Sequence, residues 1–513
     1  MSHELEARLR AAVAAQLQRA YGLGPDQLPS LVVEAPPRPE LGEFALPVCF
    51  ELSKRLRRAP RQLAQELAAA MGTTLPEGFV RVTAEGGGYL NFHVNRAEAV
   101  GAGPAPARAS IPGKVIVEHT NINPNKAAHI GHLRNAVLGD TWVQILRTRG
   151  QAVEVQNLQD NTGVQVADVV AAFLHLEGDG DVTRALARVR GAVADPAWRF
   201  DYLCWDLYAA ISKHYESSPE SQAAWRGATL QAIEAGNNPI AELAETISSA
   251  IAEHHLRTMQ RIGVVYDVLP RESEILHRHL WDYAFRLLRD RGAVRLEAGG
   301  KNAGCWVMDR AAQPRGGAQG VPAEGRACAQ AEGRSATPVN VAGEEDSKVI
   351  VRSNGTVTYV GKDIAYQLWK FGLLPLEFDY ARFHRYPDGA WAWRTAMQGE
   401  SDAPTFGKGL AVYNVIDARQ SYLQDIVVAG LRALGYDEQA ERSIHFSYEM
   451  VALSAACAIE LGFAASAEDK RVDVSGRKGT GVKADDLLDR LLQRTRAEVA
   501  QRNPDLDEME RQQ

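Results

Sequence analysis

Apolar residues recur every three or four positions near the start of the chain, at Leu5, Leu9, Val13 and Leu17. Glu4, Glu6, Arg8, Arg10 and Arg19 stand among them. This spacing predicts an amphipathic helix over 1–22 with one apolar stripe, and not a secretory leader. Further helices are expected at 46–56 and 61–71, with Pro60 suited to the first turn of the second. Runs rich in β-branched and aromatic residues predict strands at 79–83 and 89–94, the second opening after Gly86-Gly87-Gly88. Residues 97–113, rich in Ala, Pro and Gly, read as a linker.

From Lys114 the pattern becomes strand and helix in alternation. A strand at 114–118 leads to a helix at 130–148, with Ile130, Leu133, Val137, Leu138, Trp142, Ile145 and Leu146 as its apolar positions. Gly150 ends it, and a strand follows at 152–156. That is a βαβ unit, which implies a parallel sheet with a right-handed crossover. More strands are predicted at 349–351, 357–359 and 411–416. Helices at 197–213, 221–235 and 239–262 interrupt the sheet as an inserted helical subdomain. Residues 309–347 hold few large apolar side chains and repeat Ala-Glu-Gly-Arg at 323–326 and 331–334. They read as a flexible surface insertion. A last helix is expected at about 485–502.

The fold class that results is α/β: a Rossmann-like parallel-sheet domain with helical insertions, preceded by a small α/β domain. The divisions are 1–96, a linker at 97–113, the main domain at 114–470, and 471–513 as a loop with the start of a further helical region. The chain has 513 residues, 24% charged and 45% hydrophobic, which suits packed cores. The net charge of −7 gives no global attraction to nucleic acid, so any such partner must be held by local basic patches. The five cysteines are scattered without metal-ligand spacing, which argues against a structural zinc and for a reducing compartment. No 18-residue apolar run occurs, so the expectation is a cytoplasmic chain with no membrane partner.

His129-Ile130-Gly131-His132 opens the predicted 130–148 helix. A helix N-terminus offers unpaired backbone N–H groups and partial positive charge to a phosphate. Imidazole N–H groups suit an oxygen that gains charge during reaction. Gly131 permits a purine or ribose to approach the backbone. The competing reading is two histidines that cap a helix or fill a core.

Residues 117–136 decide between these. The run Val-Glu-His-Thr-Asn-Ile-Asn-Pro-Asn-Lys-Ala-Ala-His-Ile-Gly-His-Leu-Arg-Asn-Ala resembles the first signature of class I aminoacyl-tRNA synthetases. With Glu118, Asn123 and Pro124 ahead and 133–140 behind, it resembles arginyl-tRNA synthetases in particular. Companion segments follow in family order: 157–165, 359–366, 413–420 and 447–451. The second signature is Val474-Ser475-Gly476-Arg477-Lys478-Gly479. Its usual first lysine is missing, and in arginyl enzymes a lysine just before the first signature takes that charge; Lys126 holds the position here.

The resemblance implies an arginine–tRNA ligase that forms arginyl-adenylate from ATP and L-arginine, then loads tRNA(Arg). Catalysis falls to His129, His132, Lys126, Arg477 and Lys478. The ATP site falls to His129, Gly131, His132, Ser475 and Gly476, with Mg²⁺ accompanying ATP and no protein-bound metal. Arginine recognition falls to Glu118, Asn123, Tyr359, Asp363 and Gln420, with Gln424 one turn from the last as an alternative. A guanidinium wants carboxylates in fork geometry, and Tyr359 and Asp363 lie one helical turn apart. Glu118 is open to either the guanidinium or the α-ammonium.

The first domain resembles the tRNA-contacting domain of that family, with Lys54, Arg55, Arg57 and Arg58 as its phosphate-binding cluster. Tyr89 and Phe92 are candidates for base stacking, although their alternation places one of them in the core. The chain reads as a monomer. In effect one helix follows the second signature, so a C-terminal anticodon-binding domain is expected to be lacking, with weak charging as the result. Two rival readings are a paralogue that loads a non-tRNA acceptor and a non-catalytic tRNA-binding relic.

Overall fold

A computed structural model of the protein describes residues 2–24, 27–101, 110–195, 199–309, 347–460, 472–473, 481–505 and 507. The chain forms two compact units, Met1–Arg108 and Ala109–Gln513. The break falls within the expected linker, but both linker ends need correction. Arg96–Gly101 is helical and the next strand already starts at Ile111.

In the first unit, helices Ser2–Tyr21, Val48–Leu56 and Pro60–Gly72 accompany a three-stranded antiparallel sheet. The strands lie in the order Phe44–Leu46, Tyr89–Val94, Phe79–Glu85. The apolar stripe predicted for the first helix is the one buried: Leu9, Val13 and Leu17 share a core with Leu52, Leu63, Leu67, Leu90 and Phe92. Pro60 occupies the first helical turn, where its missing N–H costs nothing.

The second unit is built on a seven-stranded sheet. Its order is Asp379–Arg385, Trp391–Ala396, Val268–Leu269, Gln151–Gln156, Ile111–Glu118, Val412–Asp417, Ser443–Tyr448. The last six run parallel, and the first is an antiparallel edge strand. From Ile111–Glu118 the chain crosses through helix Ile130–Thr148 to the strand on one side, and much later returns on the other. The switch point is therefore between Ile111–Glu118 and Val412–Asp417, and such sheets bind ligands beyond the strand C-termini at that point.

The helical subdomain is inserted between Gln151–Gln156 and Val268–Leu269. It has its own core, with Val166, Val189, Phe200, Ile211, Leu243 and Ile247. The predicted 221–235 helix is not continuous: residues 222–226 form a wider π turn ahead of Gly227–Ala235. The strand expected at 357–359 reduces to one bridge from Val357 to Val351, because Thr358 caps a helix that starts at Tyr359. Residues 347–351 do form a strand, but in a separate antiparallel sheet with Arg295–Leu296 and Trp306–Asp309. The expected insertion lies almost wholly at 310–346, outside the described residues, and its two ends pair as Asp309 with Ser347. The C-terminal helix, Ala484–Arg502, is not a separate region. Leu487 and Leu488 pack on the core that holds Leu133 and Val143.

Candidate active site

His129 is the N-cap of the Ile130–Thr148 helix, with φ −122° and ψ 173°. Its Nδ1 accepts the Gly131 N–H at 3.1 Å, and the His132 Nδ1 accepts the His129 N–H at 3.2 Å. A neutral imidazole that accepts at Nδ1 must carry its proton at Nε2. The cap thus makes both side chains Nε2–H donors. The rings stack 3.7 Å apart at 15°. Burial, then the neighbouring Lys126 ammonium, lowers His129 to about 4, and burial with the charge of its neighbour holds His132 well below the usual range. Both are neutral donors at working pH. Gly131 serves the histidine as well as any ligand: a Cβ there would lie 2.9 Å from the His129 Cε1.

The chain reaches this cap through a strained turn. Thr120 (φ 75°) and Asn121 (φ 44°) follow the strand end in the left-handed region, which a β-branched residue rarely enters. The buried Asn135 amide holds the turn. Its Oδ1 accepts the Thr120 N–H at 2.7 Å, and its Nδ2 donates to the Val415 carbonyl at 2.9 Å and the Tyr448 hydroxyl at 3.1 Å. One side chain on the signature helix so ties together the ends of three adjacent strands. Asn121 completes the turn, donating to Glu118 at 2.6 Å and accepting the Leu158 N–H at 3.0 Å. Asn123 is half-buried beside it, its amide without a partner among the described residues.

Carboxylates gather next to this turn. Glu118 is buried and ion-paired with Lys370, whose ammonium also donates to Asn414 at 2.9 Å. The expectation that Glu118 takes a substrate cation therefore needs correction: it already has a resident one, and its other oxygen is held by Asn121. Glu272 pairs with Lys362 at 2.5 Å. The Asp160 carboxyl is raised to about 7, by burial first and then by the charge of the neighbouring Glu272. Asp363 stands between the two lysine–glutamate pairs and has no hydrogen-bond or ion-pair partner among the described residues. Burial, then the charges of Glu272 and Glu118, pushes its carboxyl well up.

Other expected residues fall as follows. Lys126 is buried, its ammonium 4.4 Å from the Tyr208 ring centroid. Tyr359 shares the helix with Asp363 but lies at the rim, 48% exposed, its hydroxyl 3.3 Å from that of Tyr422. Gln420 is exposed in a single turn, whereas Gln424 accepts from Asn414 at 3.2 Å. Gln424, the alternative, is the one joined to the pocket wall. Ser475, Gly476, Arg477 and Lys478 lie outside the described residues. The chain just beyond them is placed beside the first signature, with Lys483 bridged to His129.

In the first unit Arg55 pairs with Glu51 at 2.7 Å and Arg58 with Glu66. Lys54 and Arg57 are exposed with no acidic partner among the described residues, so half of the expected basic cluster is neutralised. Phe92 is buried core, and Tyr89 is half-buried, edge-on to Phe50 at 5.3 Å. Lys370, Glu272, Asp160, Asn135 and Asn414 had no assigned role from sequence. Asp160 and Asn135 sit inside the matched segments; Lys370 and Glu272 carry no local signal.

Residues 7–94 match the arginyl tRNA synthetase N-terminal domain family. The chain is 32% identical to an arginine–tRNA ligase from Thermococcus kodakarensis, over 99% of this chain and 74% of that one. The chain belongs to the arginyl-tRNA synthetase family. The Deinococcus radiodurans arginine–tRNA ligase is also 32% identical, over 98% of this chain and 71% of its own. Among solved structures, Thermus thermophilus arginyl-tRNA synthetase superposes with a TM-score of 0.65 at 31% identity, covering 98% of this chain and 72% of that one. The class I fold expected from the first signature is thereby supported. The comparisons do not confirm the expectation of a lacking anticodon-binding domain.

Proposed function

We propose that the switch-point cleft forms arginyl-adenylate from ATP and L-arginine and then passes arginine to the 3′ end of tRNA(Arg). The observation that carries the substrate assignment is Asp363. It has neither a hydrogen-bond nor an ion-pair partner among the described residues, and it is set between two glutamates that each have a lysine. Four acids, Glu118, Asp160, Glu272 and Asp363, face two ammoniums, Lys362 and Lys370. A bound cation would offset the excess of carboxyl groups, and a guanidinium brings planar paired donors to do so. Asn123, and Gln424 rather than Gln420, supply neutral contacts, and Tyr359 closes the rim.

The chemistry needs positioning more than acid–base help. An arginine carboxylate oxygen attacks the α-phosphorus, the bond to the β-phosphate oxygen breaks, and its electron pair leaves on pyrophosphate. The nucleophile is already ionised, so no general base is required. The His129 and His132 Nε2–H groups and the helix N-terminus meet charge on the phosphates, with Lys126, Arg477 and Lys478 as the cations of the same region. Magnesium would accompany ATP as part of the substrate and would offset charge on its phosphates. Among the described residues no cluster of three His, Cys, Asp or Glu side chains stands ready as a resident metal site. In the second step the terminal ribose hydroxyl attacks the adenylate carbonyl, the bond from that carbon to the phosphate oxygen breaks, and AMP leaves with its phosphate taking up the hydroxyl proton. The first unit takes the tRNA backbone through Lys54 and Arg57. No helix among the described residues is long and apolar enough to cross a membrane. The enzyme works as a monomer in the cytoplasm, a state checked by sedimentation against the 56.0 kDa chain mass.

The decisive test is pyrophosphate exchange with tRNA present. Arginine supports exchange, and citrulline, its neutral isostere, does not. Asp363→Asn lowers kcat/KM for arginine by about 100-fold, roughly 2.7 kcal/mol, and leaves the KM for ATP in place. Retained preference for arginine over citrulline in that variant would sink the assignment.

A further inference from the structure

Lys483 lies in no signature and is the N-cap of the C-terminal helix, with no side-chain cap bond. A lysine is a poor choice there: it cannot accept the free backbone N–H groups and it meets the positive end of the helix dipole. Its placement gives a reason for it.

Residues 482–484 form a short antiparallel bridge with 128–130. The Ile130 N–H donates to the Val482 carbonyl at 3.1 Å and the Ala484 N–H to the Ala128 carbonyl at 2.8 Å. Lys483 stands directly opposite His129. The bonds are made by the flanking residues, so this is the non-hydrogen-bonded kind of pair, in which facing side chains lie closest and on one side. Lys483 therefore projects to the side from which His129 presents its imidazole.

Its ammonium rests on aromatic faces, 4.4 Å from the Tyr202 centroid and 5.5 Å from that of Trp205. Lys126 rests on the same ladder, 4.4 Å from Tyr208 and 5.8 Å from Trp205. Tyr202, Trp205 and Tyr208 fall at i, i+3 and i+6 on the Phe200–Ser217 helix and so share a face. Lys483 is half-buried and makes no ion pair with a carboxylate among the described residues. A ring face holds a cation weakly beside what a polyphosphate offers, so the arrangement stores an ammonium without consuming its charge.

We propose that Lys483 is a further catalytic residue for adenylate formation: its ammonium moves from the Tyr202–Trp205 faces onto the ATP polyphosphate held at His129 and His132. There it meets the negative charge that develops as the Pα–O bond to the β-phosphate breaks and the electron pair leaves on pyrophosphate. Lys483 and Lys126 then approach the phosphates from the two strands of one bridge. The inference rests on the phosphate reading of the histidine cap.

Pyrophosphate exchange with tRNA and arginine tests it, using Lys483→Met, Lys483→Thr and Lys483→Arg. Methionine keeps the apolar stem and removes the charge. Threonine restores an ordinary helix cap, so a role in folding alone predicts unchanged or improved thermal stability and full activity. The expected result is a fall in kcat of roughly 100-fold in the Met and Thr variants. The melting temperature of the Thr variant holds or rises, the KM for arginine stays unchanged, and arginine at 483 restores most of the rate. Exchange within twofold of the parent in both neutral variants overturns the proposal, and so does a loss confined to the KM for arginine. His132→Ala is run alongside. If it loses exchange while the Lys483 variants do not, only the role of Lys483 fails; if it too keeps full exchange, the reading of the cap itself fails.

Discussion

Single residues set the charge state of this site, and they make it pH-sensitive in one half only. The histidines are already neutral, His129 with a value near 4 and His132 well below the usual range, so they do not titrate between pH 6 and 8. Asp160 does. Burial, then the charge of Glu272 beside it, raises its carboxyl to about 7. A bound guanidinium favours the ionised form and pulls that value down, so arginine binding releases a proton. By linkage, affinity is weakest when Asp160 is protonated and rises as pH rises through about 7. The expected outcome is a KM for arginine that falls between pH 6 and pH 8 while the KM for ATP stays level. Calorimetry in buffers of different ionisation enthalpy reads the released proton directly. An arginine KM that is flat over this range would remove Asp160 from the substrate pocket.

At the scale of elements, the signature helix works because it packs unusually close to the turn that feeds it. A Cβ on Gly139 would lie 2.3 Å from the His119 Cγ and 2.4 Å from its Cβ. His119 is fully buried and hydrogen-bonded to Thr120, so it has nowhere to go. Gly139→Ala therefore forces the helix away from the strained turn and should cost about 2–3 kcal/mol, seen as a lower melting temperature together with lost exchange activity. Unchanged melting would mean that the helix shifts freely. This close contact was legible in the sequence only as part of a matched motif. The motif itself was readable because the cap, its glycine and both histidines are neighbours in the chain, and their roles follow from local geometry. The carboxylate pocket was not readable in the same way. Asp160, Glu272 and the helix that carries both Asp363 and Lys370 are three separate elements, and each charge alone looks like an ordinary surface charge. The strand expected at 357–359 fails for a related reason: Val357 has the composition of a strand, but Thr358 already starts the helix that carries Asp363. Gln420 and Gln424 differ by one turn, which spacing alone does not resolve and the bond to Asn414 does.

For the whole molecule, the charge distribution divides the labour between the units. A chain of net charge −7 has to bind an anionic polymer through local features. The first unit offers fewer of these than its sequence suggests, since Arg55 and Arg58 spend their charge on Glu51 and Glu66. Exposed pairs of this kind contribute little to stability and also little to phosphate binding. The burden of binding then falls on Lys54 and Arg57. Reversing both to Glu in the full chain should weaken tRNA(Arg) binding by about 10-fold or more at moderate salt and flatten the dependence of log affinity on log salt by about one to two units. Arg55→Gln should do much less, because its guanidinium is already partnered. Filter binding across a salt series separates the two. The arginine KM, measured at saturating tRNA, should stay put in both variants, since the guanidinium pocket lies within the other unit. Equal losses from Arg55→Gln and from the Lys54/Arg57 reversal would show that the ion pairs open on contact with tRNA, and that the resting charge map does not govern how this unit meets RNA.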